Sequence, residues 1–281
     1  MNLTVLRESW RLHPLAWIHR SEARFIAEEL RRAGYAVRLR QFREDSVSKL
    51  RSGPFLLRVS DPVMFAAVKA FACTGTQYIG PSAAVMERCY DKYRAYCIAS
   101  ANGLDCPRTT MASDAAAIPF PLVLKPRRGS DSIGVRIHRQ NPFPISTRTE
   151  DYIAQEHVRG AEFTIAVLHG RVGMPLRIFL PEGTLYSFSR KYLLRPARAA
   201  VRDGALAERI CRTALKIAKV FGVDWAARID LIQETITGRL CFIECDVAPL
   251  LGAQSAFAAS LEAAGIGRTE QLRLLLSGAT P

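Results

Sequence analysis

The chain has 281 residues, 49% of them hydrophobic, enough apolar material for a large core shared by two or three subdomains. No apolar run approaches the ~20 residues that span a bilayer, and the opening MNLTVLRESW lacks the basic flank and apolar core of a secretory signal. Thirty-nine Lys and Arg against 26 Asp and Glu give a net charge of +13, but it is scattered, without a basic block or a nucleic-acid module. A nucleic-acid binder is therefore the minor reading; such a protein would bind with a steep salt dependence.

In chain order, LTVLR at residues 3–7 reads as a first buried strand. HPLAWIHRSEARFIAEELRRAGYAVRLRQF then reads as a loop, an amphipathic helix, a stop at Gly34 and a second strand. Phe25, Ile26, Leu30 and Ala33 recur at helical spacing, whereas Tyr35, Val37 and Leu39 alternate as in a strand. A third strand falls near residues 55–59. Strands alternating with helices predict a parallel α/β domain over residues 1–85. Residues 86–119 read as one helical segment centred on MERCYDKYRAYCIASANGL, with Gly103 and Pro107 as stops. A strand, loop and strand follow over residues 122–135, and a second strand pair, turning at Gly160, over residues 153–165. A basic, exposed loop is expected over residues 176–203. Then come the helix ALAERICRTALKIAKVFG, the strands AARIDLIQE and RLCFIECDV around Thr237 and Gly238, and a last helix over residues 255–277. Residues 86–158 and 159–281 are the second and third expected units.

The seven cysteines are odd in number and form no Cys-x-x-Cys pair, which reads as reduced thiols in a cytoplasmic protein. Cys245 stands apart because it falls between two acidic residues.

Two features carry chemistry. PLVLKPRRGSDSIGVRIHR, residues 121–139, sets Lys125 at the end of a strand before a loop with Gly129, Ser130, Ser132 and Gly134. Glycines let backbone N–H groups approach an anion, and the lysine adds a fixed charge, so the loop suits a polyphosphate. It is not a Walker loop, because a strand rather than a helix follows it. The second feature is acidic: Asp230 in ARIDLI, and Glu244 and Asp246 in CFIECDV. Glu244 and Asp246 are two apart and share one face of their strand. Three carboxylates between apolar flanks are hard oxygen ligands suited to Mg²⁺, with Mn²⁺ as the alternative; the bland reading is solvated strand ends.

The order Asp91-Lys92, KPRRGSDSIGV, QEHVRGAEFTIAVL, RKYL, RID and E-C-D resembles the ATP-grasp superfamily, and within it the D-alanine–D-alanine ligase-like group. The resemblance covers roughly residues 75–270. It implies an ATP-grasp fold of the α/β (α+β) class: an N-terminal parallel α/β domain, then two α+β subdomains that clasp ATP. It implies that Lys92 and Lys125 hold ATP phosphates, and that the loop of Gly129, Ser130, Asp131, Ser132 and Gly134 covers them. Glu156, His157 and Val158 would meet the adenine, and Glu162 the ribose. Lys191 and Tyr192 match a Lys-Tyr pair on a loop that closes over the reaction. Arg228 matches the arginine that stabilises the anionic transition state, and Asp230, Glu244 and Asp246 match the metal ligands. Glu22 matches a glutamate that binds the amino group of the first substrate, with Ser21 as a candidate helix N-cap, and Ser255 matches a serine at the second substrate's carboxylate. Taken singly, Lys92, Glu162 and Glu22 read equally well as ordinary surface or helix-end charges.

Three departures stand out. The usual E-x-N pair is E-C-D; Leu250 occupies a glycine position of the turn that helps bind the oxyanion; and Asp131 replaces a serine of the phosphate loop. These argue against ordinary D-alanine–D-alanine ligation. The resemblance implies an ADP-forming carboxylate-amine ligase acting on an amino acid or peptide, linear or cyclising, without nucleic-acid or membrane partners and with a homodimer by analogy. Two alternatives stay open: a relative of the ligases that add glutamate to ribosomal protein, and a non-catalytic nucleotide-binding regulator.

Overall fold

The computed structural model describes residues 2–9, 16–50, 53–129, 132–140, 149–180 and 197–280. Its first sheet holds β1 (Asn2–Arg7), β2 (Ala36–Gln41), β3 (Phe55–Arg58) and β4 (Tyr78–Ile79), in the order β4-β3-β1-β2, all parallel. Helix α1 (Ala16–Arg32) buries Ala23, Ile26, Ala27 and Leu30 against Leu3 and Val5 of β1. It ends at Gly34, φ +90°, before β2. Helix α2 (Asp61–Thr74) starts with a proline in its first turn and stops at Gly75 in the left-handed region.

The helical segment expected over residues 86–119 is two helices and a strand. α3 (Ala83–Tyr90) and α4 (Lys92–Ala101) are broken at Asp91, whose backbone is extended. The Asp91 carboxylate accepts hydrogen bonds from the N–H groups of Tyr93 and Arg94, both at 3.1 Å, and so caps α4. Beyond α4 the chain is not helical up to β5 (Thr109–Met111), then makes a short 3-10 segment, residues 112–117.

The second sheet is antiparallel, in the order β5-β8-β6-β7, with β6 (Leu122–Pro126), β7 (Arg136–His138) and β8 (Tyr152–Glu156). The third, also antiparallel, runs β12-β11-β9-β13-β14. It holds β9 (Gly160–Leu168), β11 (Leu176–Ile178), β12 (Arg198–Ala200), β13 (Ala226–Glu234) and β14 (Leu240–Asp246), with β10 (Arg171–Val172) on β9. The strand start at Gly160 admits no side chain, since a Cβ there would lie 1.9 Å from the carbonyl oxygen of Gln233 on β13.

Helix α5 (Gly204–Phe221) lays Ile210, Ala214, Ile217 and Phe221 on Phe163, Ile165, Ile229 and Phe242 of the third sheet. Val85, Met86 and Cys89 of α3 and Ala95 and Ala99 of α4 join that same core. The expected last helix is likewise two: α6 (Ala256–Ala263) and α7 (Arg268–Leu276), separated at Gly265 and Gly267. A terminal strand absent from the sequence reading, β15 (Ala279–Thr280), returns to pair with β4 of the first sheet.

Candidate active site

A cleft of about 1200 Å³ opens between the second and third sheets. Ten residues singled out from sequence line it: Lys92, Lys125, Gly129, Ser132, Glu156, His157, Val158, Glu162, Asp230 and Glu244. Ser130, Asp131, Lys191 and Tyr192 lie outside the described residues.

At one end of the cleft α4 begins with Lys92. Its Nζ donates to the carbonyl oxygen of Gly129 at 2.6 Å and lies 3.2 Å from Glu244 Oε1. The lysine therefore links the glycine loop of the second sheet to the acidic strand of the third. Asp91, just before it, accepts from Arg127 Nε at 2.8 Å and Arg128 Nη2 at 3.1 Å. Burial alone would raise the Asp91 pKa, but the hydrogen bonds from Arg127 and the Arg94 N–H and the two arginine charges hold it below the ordinary value. Lys125, on β6, is buried with its charge facing the cleft. Gly134 sits at φ +76°, and a Cβ there would lie 3.0 Å from Pro126 Cγ, so the return of the loop toward β7 requires glycine.

Glu156 and Val158 also line the cleft. The Glu156 N–H is already taken by the carbonyl of Arg108 at 2.9 Å, and its carboxylate accepts from the Arg108 N–H at 3.1 Å. Burial, then the charges of Arg159 and Arg139, lower the His157 pKa, which favours the neutral imidazole beside the cleft.

The acidic residues come together as strand register dictates. Across β13 and β14, Asp230 pairs with Glu244 and Arg228 with Asp246, so all four share one face. Arg228 clamps the group: its Nε and Nη2 donate to Asp230 at 3.1 Å each, and its Nη1 lies 3.1 Å from Asp246 Oδ2. Thr164 donates to Asp230 Oδ1 at 2.7 Å. Among the described residues no three His, Cys, Asp or Glu side chains surround one point; the carboxylates are drawn to Arg228 and Lys92. The donor set still fits a hard divalent cation. Burial, with Glu244 and Asp230 nearby, raises the Asp246 pKa against the pull of Arg228, and a cation would relieve that excess of negative charge. Cys245 takes no part. It points into the core on the other face, 2% exposed, where a hydrogen bond with Cys89 and burial push its thiol well above the ordinary pKa.

A second cluster lies at the junction of α1, β3 and the segment after β14. Glu22, expected to face a substrate amine, has both carboxylate oxygens occupied. Arg58 donates to it from Nε at 2.9 Å and Nη2 at 3.0 Å, and the Leu251 N–H donates to Oε1. Arg58 also donates to the Pro249 carbonyl at 2.7 Å. Ser21, the candidate cap, sits inside α1 and not at its start. Ser255 caps α6 by accepting from the Ala258 N–H at 3.0 Å, which leaves its hydroxyl proton available to a donor role. Leu250 adopts no positive φ, so the leucine at a glycine position brings no backbone strain.

Sequence reading missed Arg58. The signal was present: a lone arginine closing the otherwise apolar strand FLLR, where an unpaired buried charge is costly. Arg127 and Arg128, which hold Asp91, were likewise not singled out from sequence.

A family model described as "D-ala D-ala ligase C-terminus" matches residues 97–277. A D-alanine–D-alanine ligase of Stutzerimonas stutzeri (strain A1501) is 27% identical over 210 residues, 69% of this chain and 66% of that protein. The chain thus spans just under two thirds of the length of that relative. Among solved structures, the fold is similar to that of the D-alanine–D-alanine ligase from Bacillus anthracis complexed with ATP, with a TM-score of 0.83 at 18% identity, covering 99% and 96% of the two chains. It is similar as well to the VanG D-Ala:D-Ser ligase from Enterococcus faecalis, with a TM-score of 0.78 at 16% identity and 98% of each chain covered. The architecture is an ATP-grasp fold, and with well over half of its length matched by the family model, the chain belongs to the D-alanine–D-alanine ligase C-terminal family.

Proposed function

We propose that this protein is an ADP-forming carboxylate-amine ligase that uses ATP to join amino-acid or peptide substrates. The observation that carries this reading is the cleft itself, where Lys92, Lys125, the glycine loop and the Asp230–Glu244 pair converge from two sheets on one space large enough for a nucleotide. Of the residues lining the cleft, Lys92 and Lys125 would hold phosphates, Glu162 would accept the ribose hydroxyls, and Val158, Leu231 and Ile243 would receive the base. Glu244 and Asp230, with Asp246, would hold a Mg²⁺, which when bound supplies charge neutralisation for the phosphates.

A substrate carboxylate attacks the γ-phosphorus of ATP, giving an acyl phosphate and ADP. A substrate amine then attacks the acyl carbon, phosphate leaves, the amine loses a proton and an amide forms. Arg228 cannot lose its own proton and faces the acidic strand beside the cleft, so it suits the negative charge that develops on the transferring group and the tetrahedral intermediate. The glycine loop, tied to Lys92 through Gly129, serves to exclude water from the acyl phosphate.

The test is an ADP-release screen over pairs of L- and D-amino acids and short peptides, read by product mass. Lys125→Ala and Glu244→Ala should each reduce ADP formation about 100-fold or more. Near-wild-type turnover in either variant contradicts this assignment.

A further inference from the structure

Arg7 and Arg58 end the adjacent parallel strands β1 and β3 in direct register, so their side chains leave the same face of the sheet side by side. Carboxyl ends of parallel strands are where open α/β sheets hold ligands. Two guanidiniums side by side repel each other, and the Glu22 ion pair offsets the charge of Arg58 alone. Arg20 and Arg24 of α1 add to the charge: burial, then their proximity, lowers the Arg7 pKa. Two carboxylates lie nearby. Glu22 is saturated by Arg58 and Leu251, whereas the fully buried Glu8 accepts from the Ser60 N–H at 2.8 Å through Oε2 and its Oε1 has no hydrogen-bond partner among the described residues. Arg58 is fully buried, yet its Nη1 has no hydrogen-bond partner among the described residues, and neither do Nε and Nη1 of Arg7. Buried guanidinium N–H groups without acceptors are costly, and charged donors favour an anionic oxygen acceptor such as a carboxylate.

We propose that Arg7 and Arg58 form a carboxylate-recognition site for the first substrate, so that this ligase takes a substrate bearing a second carboxylate beside the one it activates. Through Arg58 the site adjoins Glu22, which the family resemblance places at the first substrate, and the inference rests on the ligase reading for that placement. With its charge neutralised by Arg58, Glu22 no longer draws a substrate ammonium; it instead orients the guanidinium toward the anion. A dicarboxylic amino acid or a peptide with a free carboxylate has the required chemistry.

The experiment is a thermal-shift titration of the full-length protein with aspartate and glutamate of both hands, against asparagine, glutamine, alanine and inorganic phosphate, for wild type, Arg7→Gln and Arg7→Lys. Arg7 is only half-buried, so its variants keep the test open even where Arg58→Gln fails to fold. The expected result is stabilisation by a dicarboxylate but not by its amide, weakened about tenfold or more in Arg7→Gln and partly restored in Arg7→Lys. Equal stabilisation by the amides or by phosphate, an unaltered Arg7→Gln response, or no response to any of the acids overturns the inference. The ligase reading is judged separately by ADP release: turnover of neutral amino acids with indifference to dicarboxylates sinks this inference alone, whereas dicarboxylate binding without ADP formation from any substrate pair sinks the ligase reading.

Discussion

Arg58 and Glu22 show how one residue pair can change what a site offers. A carboxylate on the first turns of α1 would attract an amine if it stood alone. Here it is locked in a two-point ion pair, nearly closed to solvent, with side chains 0% and 8% exposed. Breaking such a pair leaves an uncompensated buried charge, so Glu22→Ala should cost about 3–5 kcal/mol of stability by urea denaturation. The double variant Glu22→Leu/Arg58→Met should recover most of that loss. A Glu22→Ala protein as stable as wild type would show that the pair is not held as described. Sequence made Glu22 visible as a candidate but not its state, because the partner that neutralises it lies 36 residues away on β3. By contrast, the relation of Asp230, Glu244 and Asp246 was legible, because strand pairing through a tight turn and a period of two suffice to place them on one face.

At the scale of elements, Asp91 does three things at once. It breaks a helix that periodicity alone would continue, caps the next one, and gathers Arg127 and Arg128 at the base of the glycine loop. Removing it by Asp91→Ala should cost about 1–2 kcal/mol from the cap alone and loosen the position of Lys92. Its pKa is lowered in the folded state, so its contribution is fully present above the unfolded value of 3.8 and is lost as the pH falls through the folded value. The difference in stability between wild type and Asp91→Asn, measured by denaturation against pH, should therefore narrow on acidification below about pH 4. A difference that stays constant or grows there contradicts the pairing. The helix break escaped the sequence reading because an aspartate within a helical pattern is compatible with either state until its partners are known. The second break, between α6 and α7, was signalled by Gly265 and Gly267 but overridden by the apolar run on both sides. β15 was illegible for another reason: a two-residue strand takes its identity from the edge of β4 and not from its own sequence.

Across the whole molecule, function depends on sheets that are distant in sequence meeting over one cleft. The glycine loop belongs to the second sheet and the acidic face to the third, and Lys92 bonds to both. Helices α3 and α4, though they precede the second sheet, pack into the core of the third, so the residue that touches the loop is anchored on the acidic side. Lys92 thereby ties the glycine loop to the acidic strand, an arrangement whose fixed positioning would serve the acyl transfer proposed above. If the substrate carboxylate attacks ATP to give an acyl phosphate, one of its oxygens is carried into the released phosphate. With a substrate pair that supports ADP release, the carboxylate of the first substrate is labelled with ¹⁸O and the released phosphate is weighed by mass spectrometry. One labelled oxygen is expected in each phosphate, with release about 100-fold lower or more in Lys125→Ala; unlabelled phosphate released alongside ADP would rule out the acyl-phosphate route.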